Sequence, residues 1–450
     1  MRIGTMLLAV IMSVVLLGCA TVDPQPQWQK VETIAKERTE GQVLWQRTEA
    51  DTETIRNQVN GLLANGLSRQ DAVRVALINN KKLQASFEQV GIAQSDLVQA
   101  GLLTNPTLDV FLAFPISSTN TTGGLLGFLS DIWTIPARKK VAAAQAEAAV
   151  QQVGVMVIAT ASEAVTAYDD VLFRQAALDV ERKFLKVQSD TAARMKIRYD
   201  HGLANDFELD LSRIMVFEQK IRTDNAEKEL INAKTTLNTT LSLTGDQTTY
   251  RLTDTLDKVP ENKWNTDSAV EFALKNRLDL TRERVMVEQA EREVEYERTQ
   301  IFSNVGIGPS WEGSLTEGSD NSFGPIFNLE LPVFDQNQAQ IAKAEYRLRR
   351  MQKGLAAAEM RARKEVTDTL AEMDFRKKEI EVLREEMENT LKKETEYAEK
   401  WGFRMQLNFL NLLAAQEQEL IYRRTYNEAL RGIRNADVRL HQALWGGGMM

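Results

Sequence analysis

From Ile341 onward the apolar positions Ala344, Leu348, Met351, Leu355, Ala358 and Ala362 follow one another at steps of three and four. This spacing predicts a helix packed along a coiled-coil seam, with small residues that let neighbours approach closely. Elsewhere the period changes to two: Leu108, Val110, Leu112, Phe114 and Ile116 alternate with polar or small residues, as in a strand. A polar turn over Ser117 to Gly124 and a second apolar segment from Leu125 to Ile135 complete a first hairpin, about 107–135. A second hairpin, about 304–333, places Val305, Ile307 and Trp311 before a mostly polar loop from Glu312 to Asn321, and Phe323, Phe327, Leu329 and Leu331 after it.

Proline and glycine mark the long helices. Pro136 and Pro332 fall just before them, where a missing N–H is harmless, and Gly202 and Gly402 fall where they end. The expected spans are about 137–200 and 336–400. At 1.5 Å per residue each is roughly 95 Å long, too long for the inside of a globule. Shorter helices are expected near 80–103 and 206–242, and again near 279–302 and 405–443. Two stacked end to end would line one long helix. Short helices near 69–79 and 266–276, with the segment from Thr244 to Asn265, are left over for a collar.

The same elements occur twice. Ala72-Val73-Arg74-Val75-Ala76-Leu77-Ile78-Asn79 is echoed by Ala269-Val270-Glu271-Phe272-Ala273-Leu274-Lys275-Asn276, an offset of 197. Val141-Ala142-Ala143-Ala144 matches Ile341-Ala342-Lys343-Ala344 at 200, and Leu243-Thr244-Gly245 matches Leu444-Trp445-Gly446 at 201. A drift of a few residues is what small loop insertions produce, so the expected organisation is a first repeat at 66–245 and a second at 266–446.

Each expected strand is about ten residues, the length of a tilted membrane-spanning strand. A pair of soluble hairpins packed on helices has the same pattern. Four strands do not close a barrel, and open edges are not tolerated in lipid. A membrane reading therefore requires several copies to share one barrel, which makes the assembly a homo-oligomer.

Composition narrows the classes. The 450 residues are 43% hydrophobic and 26% charged, with nine prolines and a mean hydropathy of −0.32, a balance unlike a disordered chain or a polytopic helical membrane protein. The net charge is −8, with no dense basic cluster, so no nucleic-acid partner is expected. One cysteine and two histidines, His201 and His441, are too few for a Cys/His zinc site, and no cofactor or metal is expected. No H-E-x-x-H, G-x-S-x-G or Walker-type motif occurs, so an enzyme is not expected. Both histidines read as surface or capping residues. The mixed charges from Arg282 to Arg298 read as a solvated helix face.

The N-terminus carries Arg2, then an apolar run from Met6 to Leu17, too short to span a bilayer comfortably and typical of a signal peptide at 1–18. It ends Leu16-Leu17-Gly18-Cys19, which resembles the lipobox of bacterial lipoproteins. That resemblance implies cleavage before Cys19 and a diacylglyceryl group on its thiol. An ordinary secretory leader is the alternative. Ala20 rather than Asp implies sorting to the outer membrane, followed by an N-terminal segment at 19–65.

The duplicated order, the phrase Leu331-Pro332-Val333-Phe334-Asp335 leading into Gln340-Ile341-Ala342-Lys343-Ala344-Glu345, and the glycine turns resemble the TolC-type outer membrane efflux channel family over about 60–446. The resemblance implies a mainly α fold with a small β part: a homotrimer with a long α-helical barrel, a shared 12-stranded transmembrane β-barrel and a mixed collar. It also implies a periplasmic adaptor and an inner-membrane efflux pump as partners, of the resistance-nodulation-division type, with the protein held in outer membrane lipid and drugs or metal cations as substrates. A periplasmic adaptor or tethering coiled-coil lipoprotein is the competing class, but it would not carry two membrane-length strand pairs.

In the family, acidic and Arg residues shortly after the tip turns look like polar links that hold neighbouring coils closed. At those offsets after Gly202 and Gly402 stand Glu208 and Arg404, with Asn408 and Asn411 where members often have Asp. The neutral Asn pair argues against strong cation selectivity at the aperture. Ordinary solvated charges are the alternative for Glu208 and Arg404.

Lipid anchoring gives the first prediction. Cys19→Ser should abolish labelling by radioactive palmitate, and unchanged labelling would refute the lipobox assignment.

Overall fold

The computed structural model describes residues 21–112, 120–314, 322–402 and 409–446. Cys19, Phe114 and Ile116 lie outside the described residues, as do Arg404 and Asn408. In chain order the helices and strands are α1 (Gln25–Thr39), α2 (Glu49–Leu63), α3 (Arg69–Asn79), α4 (Lys81–Gly101), β1 (Thr107–Leu112), β2 (Asn120–Phe128), α5 (Asp131–Asp200) and α6 (Asp206–Leu241). After a 3₁₀ turn at Gly245–Thr248 come α7 (Thr266–Asn276), α8 (Leu278–Thr299), β3 (Val305–Ser314), β4 (Ser322–Leu329), α9 (Gln338–Gly402) and α10 (Phe409–Trp445). From α3 onward the order short helix, helix, strand pair, long helix, helix occurs twice.

The chain divides into two compact units. The first comprises Met1–Val31, Phe87–Val153 and Asp279–Ala358, and contains the sheet. Its four strands run in the order β1-β2-β3-β4, each antiparallel to its neighbour. Side chains tie the flanking segments together. Asp131 accepts from the amide and hydroxyl of Thr104 at 2.7 and 3.0 Å, and Arg138 donates to the carbonyls of Ala100 and Leu102, satisfying groups at the end of α4. Trp28 of α1 packs edge-to-face on Phe87, with ring centroids 4.8 Å apart.

The second unit comprises Glu32–Ser86, Gly154–Leu278 and Glu359–Met450. Its core is a seam of small and aliphatic residues. On α10, Ala429, Ile433, Ala436, Leu440 and Ala443 are buried at alternating steps of four and three. On α5, Val157, Ala161, Ala164, Tyr168 and Val171 do the same, and on α9 Ala362, Val366 and Leu370 are buried one turn apart. The two α3-type helices end alike. The buried Asn80 side chain donates to the carbonyl of Thr240 at 2.7 Å, and its counterpart Arg277, 197 residues on, donates to Ala443 at 2.9 Å.

Three boundary expectations are corrected. Pro136 lies inside α5 as its sixth residue, because Asp131, fixed by Thr104, starts the helix early. One lost hydrogen bond near a helix start is tolerable. In consequence Ile132 to Ile135 are helical rather than strand. The turn expected over Ser117 to Gly124 is shorter than that: Asn120 to Gly124 are in β2, paired with β3, and Glu312 to Ser314 are in β3. The N-terminal segment, for which no element was expected, forms α1 and α2. Thr48 and Asp51 make a capping box for α2, and Val31, Ala35, Val43, Ile55 and Val59 are buried.

A buried ion pair joins α5 to α10. Asp169 Oδ1 accepts from Arg434 Nη1 at 2.7 Å, with both side chains almost fully buried, while Arg434 Nη2 donates to the Thr255 carbonyl. Arg69 Nε approaches Asp169 Oδ2 at 3.3 Å, and Arg69 Nη2 pairs with Asp437 at 3.1 Å. Burial pushes the Asp169 carboxyl up; the two guanidiniums pull it back. Arg434→Met should cost about 3–5 kcal/mol, because a buried carboxylate loses its main partner, and Asp169→Leu in the same chain should recover most of it. In Arg434→Met the carboxyl rises further, so the folded state holds a proton that the unfolded chain releases. The deficit should therefore shrink as pH falls from 7 to 5. Thermal unfolding across that range checks it, and a pH-independent deficit would contradict the assignment.

Candidate membrane sheet and helix tip

The strand registers decide what each face of the sheet presents. Val110, Gly123, Trp311 and Phe323 lie in one row, and Gly127, Ile307 and Phe327 in another. Leu108 opposes Leu125 and Pro309 opposes Pro325 on the same face, and Leu329 is two residues beyond Phe327. Period two thus gathers every one of these apolar or glycine positions on one side. That side is solvent-exposed in the single chain, with Phe323 at 83% and Phe327 at 68% of full exposure. The ring of Trp311 lies flat over Gly123, where an added Cβ would come within 2.0 Å of the indole.

The opposite face is different in kind. Its rows are Asp109, Gly124, Ser310 and Gly324; Phe111, Thr122, Glu312 and Ser322; and Phe128, Gly306 and Asn328. Leu126 and Ile326 are its aliphatic members. One continuous apolar face, backed by one on which small and polar residues outnumber Phe111, Leu126, Phe128 and Ile326, is the pattern of a strand set between hydrocarbon and water. Among the described residues β1 and β4 are each paired on one side only.

One described helix, α5, is long and apolar enough to cross a membrane by length and composition. Its apolar window is mostly buried within the chain, as in a core helix. The membrane signal lies in the sheet.

At the far end of α5 the chain reverses over five residues. Gly202 has φ +70°, the left-handed conformation a helix stop requires. Its N–H bonds the Tyr199 carbonyl at 2.9 Å and the Leu203 N–H bonds Arg198 at 2.8 Å, the two hydrogen bonds of a Schellman motif. Asn205 then starts α6 with a capping box: its side chain accepts from the Glu208 amide at 2.9 Å, and Glu208 Oε2 accepts from the Asn205 amide at 3.1 Å. Ala204 and Leu209 pack with Met195, a hydrophobic staple across the cap. The Asp206 carboxylate holds the Tyr199 hydroxyl and pushes its pKa above the ordinary tyrosine value.

Of the sequence-derived tip residues, Gly202 and Glu208 are both placed at this turn. Gly402 is the last residue of α9, and Asn411 is the third residue of α10. Among the described residues Glu208 meets no counterpart from the second turn; its carboxylate is engaged by the cap. His201 is exposed, with Nδ1 2.7 Å from the Ile197 carbonyl. His441 departs from the surface reading: it is half-buried near Trp445, and burial lowers its pKa. Sequence reasoning missed Asn205, although the Asn-x-x-Glu spacing was there to read.

Residues 269–444 match the family model for outer membrane efflux protein. A comparison with curated protein sequences returned no match. Among solved structures the chain is similar to a membrane protein from Pseudomonas aeruginosa, at 18% identity and TM-score 0.70, over 85% of this chain and 91% of that one. It is similar to the Campylobacter jejuni CmeC outer membrane channel at 14% identity and TM-score 0.71, over 84% and 86%. The open state of the Neisseria gonorrhoeae MtrE outer membrane channel aligns at 16% identity and TM-score 0.67, over 84% and 89%. At such identities the likeness is one of fold, and the fold is that of outer membrane channels.

The engaged carboxylate of Glu208 separates a capping role from a charge role. Glu208→Ala should loosen the first turn of α6 by about 1 kcal/mol, read as faster amide exchange at residues 205–209, whereas Glu208→Gln should keep the cap. If the charge itself closes the tip, both variants raise planar-bilayer conductance. A rise with Ala alone assigns the effect to the cap.

Proposed function

We propose that this chain, whose residues 269–444 are an outer membrane efflux protein domain, is the outer membrane channel of a tripartite efflux system. It acts as a passive conduit from an inner-membrane pump and a periplasmic adaptor across the outer membrane. The observation that carries this reading is a four-stranded sheet with one apolar face and two unpaired edges. Such a sheet is stable in hydrocarbon only if copies pair edge to edge until a barrel closes, and three copies give twelve strands.

The helices support the same assembly. In the second unit α6 is tied to α5 by Gln219 on Glu181, and α10 is tied to α5 by Arg424 on Glu181 and Arg431 on Asp170. Gly432 of α10, next to Arg431, sits against the Arg376 side chain of α9. By these contacts α6 is tied to α5 and α9 to α10, with α5 and α10 tied to each other, so α6 and α9 each have one such neighbour. Both carry exposed apolar side chains, Phe207, Ile214, Phe217 and Ile221 on one and Met360, Phe375 and Val382 on the other. A homotrimer would bury one against the other.

The finer assignments belong to the same proposal: Cys19 as lipid anchor, repeats at 66–245 and 266–446, and a resistance-nodulation-division pump moving drugs or metal cations. A gate between the two tip turns is part of it, with Arg404 on the second turn opposing carboxylates such as Glu208. Arg404→Glu would then open the tip in the same bilayer recordings. The adaptor or tether reading leaves the apolar face of the sheet without a role.

Substitutions on the two faces of β4 test the reading. Phe327→Arg, on the apolar face, should cost about 2–4 kcal/mol near mid-membrane and abolish heat-modifiable oligomers from outer-membrane fractions. Asn328→Arg, one residue on and facing the other way, should assemble normally. Equal assembly of both variants, or a transport-competent complex with the mass of one chain, would overturn it.

A further inference from the structure

The sheet is followed, in the same unit, by a band of chemistry to which the channel reading gives no role. Where β4 ends, Leu331, Val333 and Phe334 are exposed at 68%, 67% and 94%, although a connector has no need of large apolar side chains. Leu103, ahead of β1, and Ile132, after β2, are exposed likewise. Immediately beyond comes positive charge, in a chain whose net charge is −8. The first sixteen residues of α9, Gln338 to Lys353, hold Lys343, Arg347, Arg349, Arg350 and Lys353 against one carboxylate, Glu345. That carboxylate is paired with Arg298 at 3.3 Å. The start of α5 repeats the theme with Arg138, Lys139 and Lys140.

The α9 cations are arranged around a groove. Lys343, Arg347 and Arg350 follow one another at steps of four and three, so they share a helix face. With Ala339, Ala342 and Tyr346 they line a shallow groove, open to solvent and formed by α9 alone, whose floor the alanines keep low. Arg347 also reaches Glu293, and Arg349 stacks on Tyr346 at 4.4 Å. Among the described residues Lys343 and Arg350 have no carboxylate in salt-bridge range.

We propose that this face of α9 binds the phosphodiester headgroup of an anionic phospholipid in the leaflet next to the sheet's helical end. The proposal rests on the membrane reading of the sheet. Lys343 and Arg347 lie about 8 and 14 Å along the helix from its first turn, within reach of a headgroup layer for long side chains that snorkel. Arg350 and Lys353 follow at about 18 and 22 Å, where the surface potential of anionic lipid is weaker. Exposed apolar side chains together with a basic cluster are the two signals that attach a protein surface to anionic lipid. Charge complementarity and continuity with the apolar sheet face select lipid as the occupant of this first segment of α9, whereas the contact with a second copy proposed above falls on Met360, Phe375 and Val382 in the second unit.

The test uses the purified full-length oligomer in dodecyl maltoside, titrated with phosphatidylglycerol or phosphatidylcholine and read by native mass spectrometry. Phosphatidylglycerol adducts should be retained at least tenfold better than phosphatidylcholine. Each cation near an anionic surface contributes about fivefold, so Lys343→Gln with Arg350→Gln should cut retention by about 25-fold, while Lys343→Arg should leave it intact. Salt at 0.5 M should suppress retention, and 20 mM inorganic phosphate should not. Equal retention of the two lipids, or retention unaffected by the double substitution, overturns the proposal. Displacement by inorganic phosphate reassigns the groove to a free anion and also overturns it. Loss of the oligomer in the double variant, with phosphatidylglycerol still held per chain, assigns the face to a second copy instead. Membrane fractionation of the wild type reads the underlying proposal separately, since the detergent titration does not depend on it.

Discussion

A sheet of four antiparallel strands has two edges, and each edge strand presents N–H and C=O groups that no neighbour satisfies. In water they are hydrated; in hydrocarbon each costs several kcal/mol. The registers here place apolar residues of all four strands on one face, so hydration is not available on that side if the face is in lipid. Edge satisfaction and apolar burial then have one solution, the addition of further copies of the same sheet. The helical units obey the same rule with weaker forces. Helices α6 and α9 carry apolar side chains that the single chain leaves in solvent, and the cost there is lost burial rather than lost hydrogen bonds.

Much of this arrangement was legible before any coordinates. The seam over Ala344, Ala358 and Ala362 is buried as its spacing required, and α3 and α7 have the limits that their Ala-rich patterns indicated. Strand limits were less legible, because glycine and polar residues look like turn. Gly123 belongs to β2 because Trp311, on the neighbouring strand, needs a site with no Cβ, and Gly124 follows it in the ladder opposite Ser310. The periodicity of one strand holds no information about the strand beside it. α1 and α2 were missed for a related reason: in a short helix the buried positions are few, and Val31, Ala35, Ile55 and Val59 do not stand out until the helices they pack on are known.

The tip was half legible. A lone Gly between two helical patterns specifies a left-handed stop, and Gly202 has that conformation. What Glu208 does was open to two readings, because Glu at the third helical position is a capping residue as well as a charge. The single chain satisfies the first reading without excluding the second, since a carboxylate that accepts one backbone N–H keeps further acceptor capacity.

The interactions least visible in the sequence tie α5 to α10. Asp169 and Arg434 are 265 positions apart, and each looks like one more charge on a mixed helix face. Coiled-coil seams of alanine and leucine are nearly interchangeable along their length, so hydrophobic packing alone would let α10 slide against α5 by a turn at little cost. A buried carboxylate facing a buried guanidinium allows no such slip, because any other register leaves two desolvated charges unpaired. Arg431 on Asp170 and Arg424 on Glu181 extend the same constraint along α5 toward its tip. The ion pairs thus contribute register more than net stability. Register between α5 and α10 thereby fixes how far along α5 each turn of α10 sits, which packing of alanine and leucine alone leaves open.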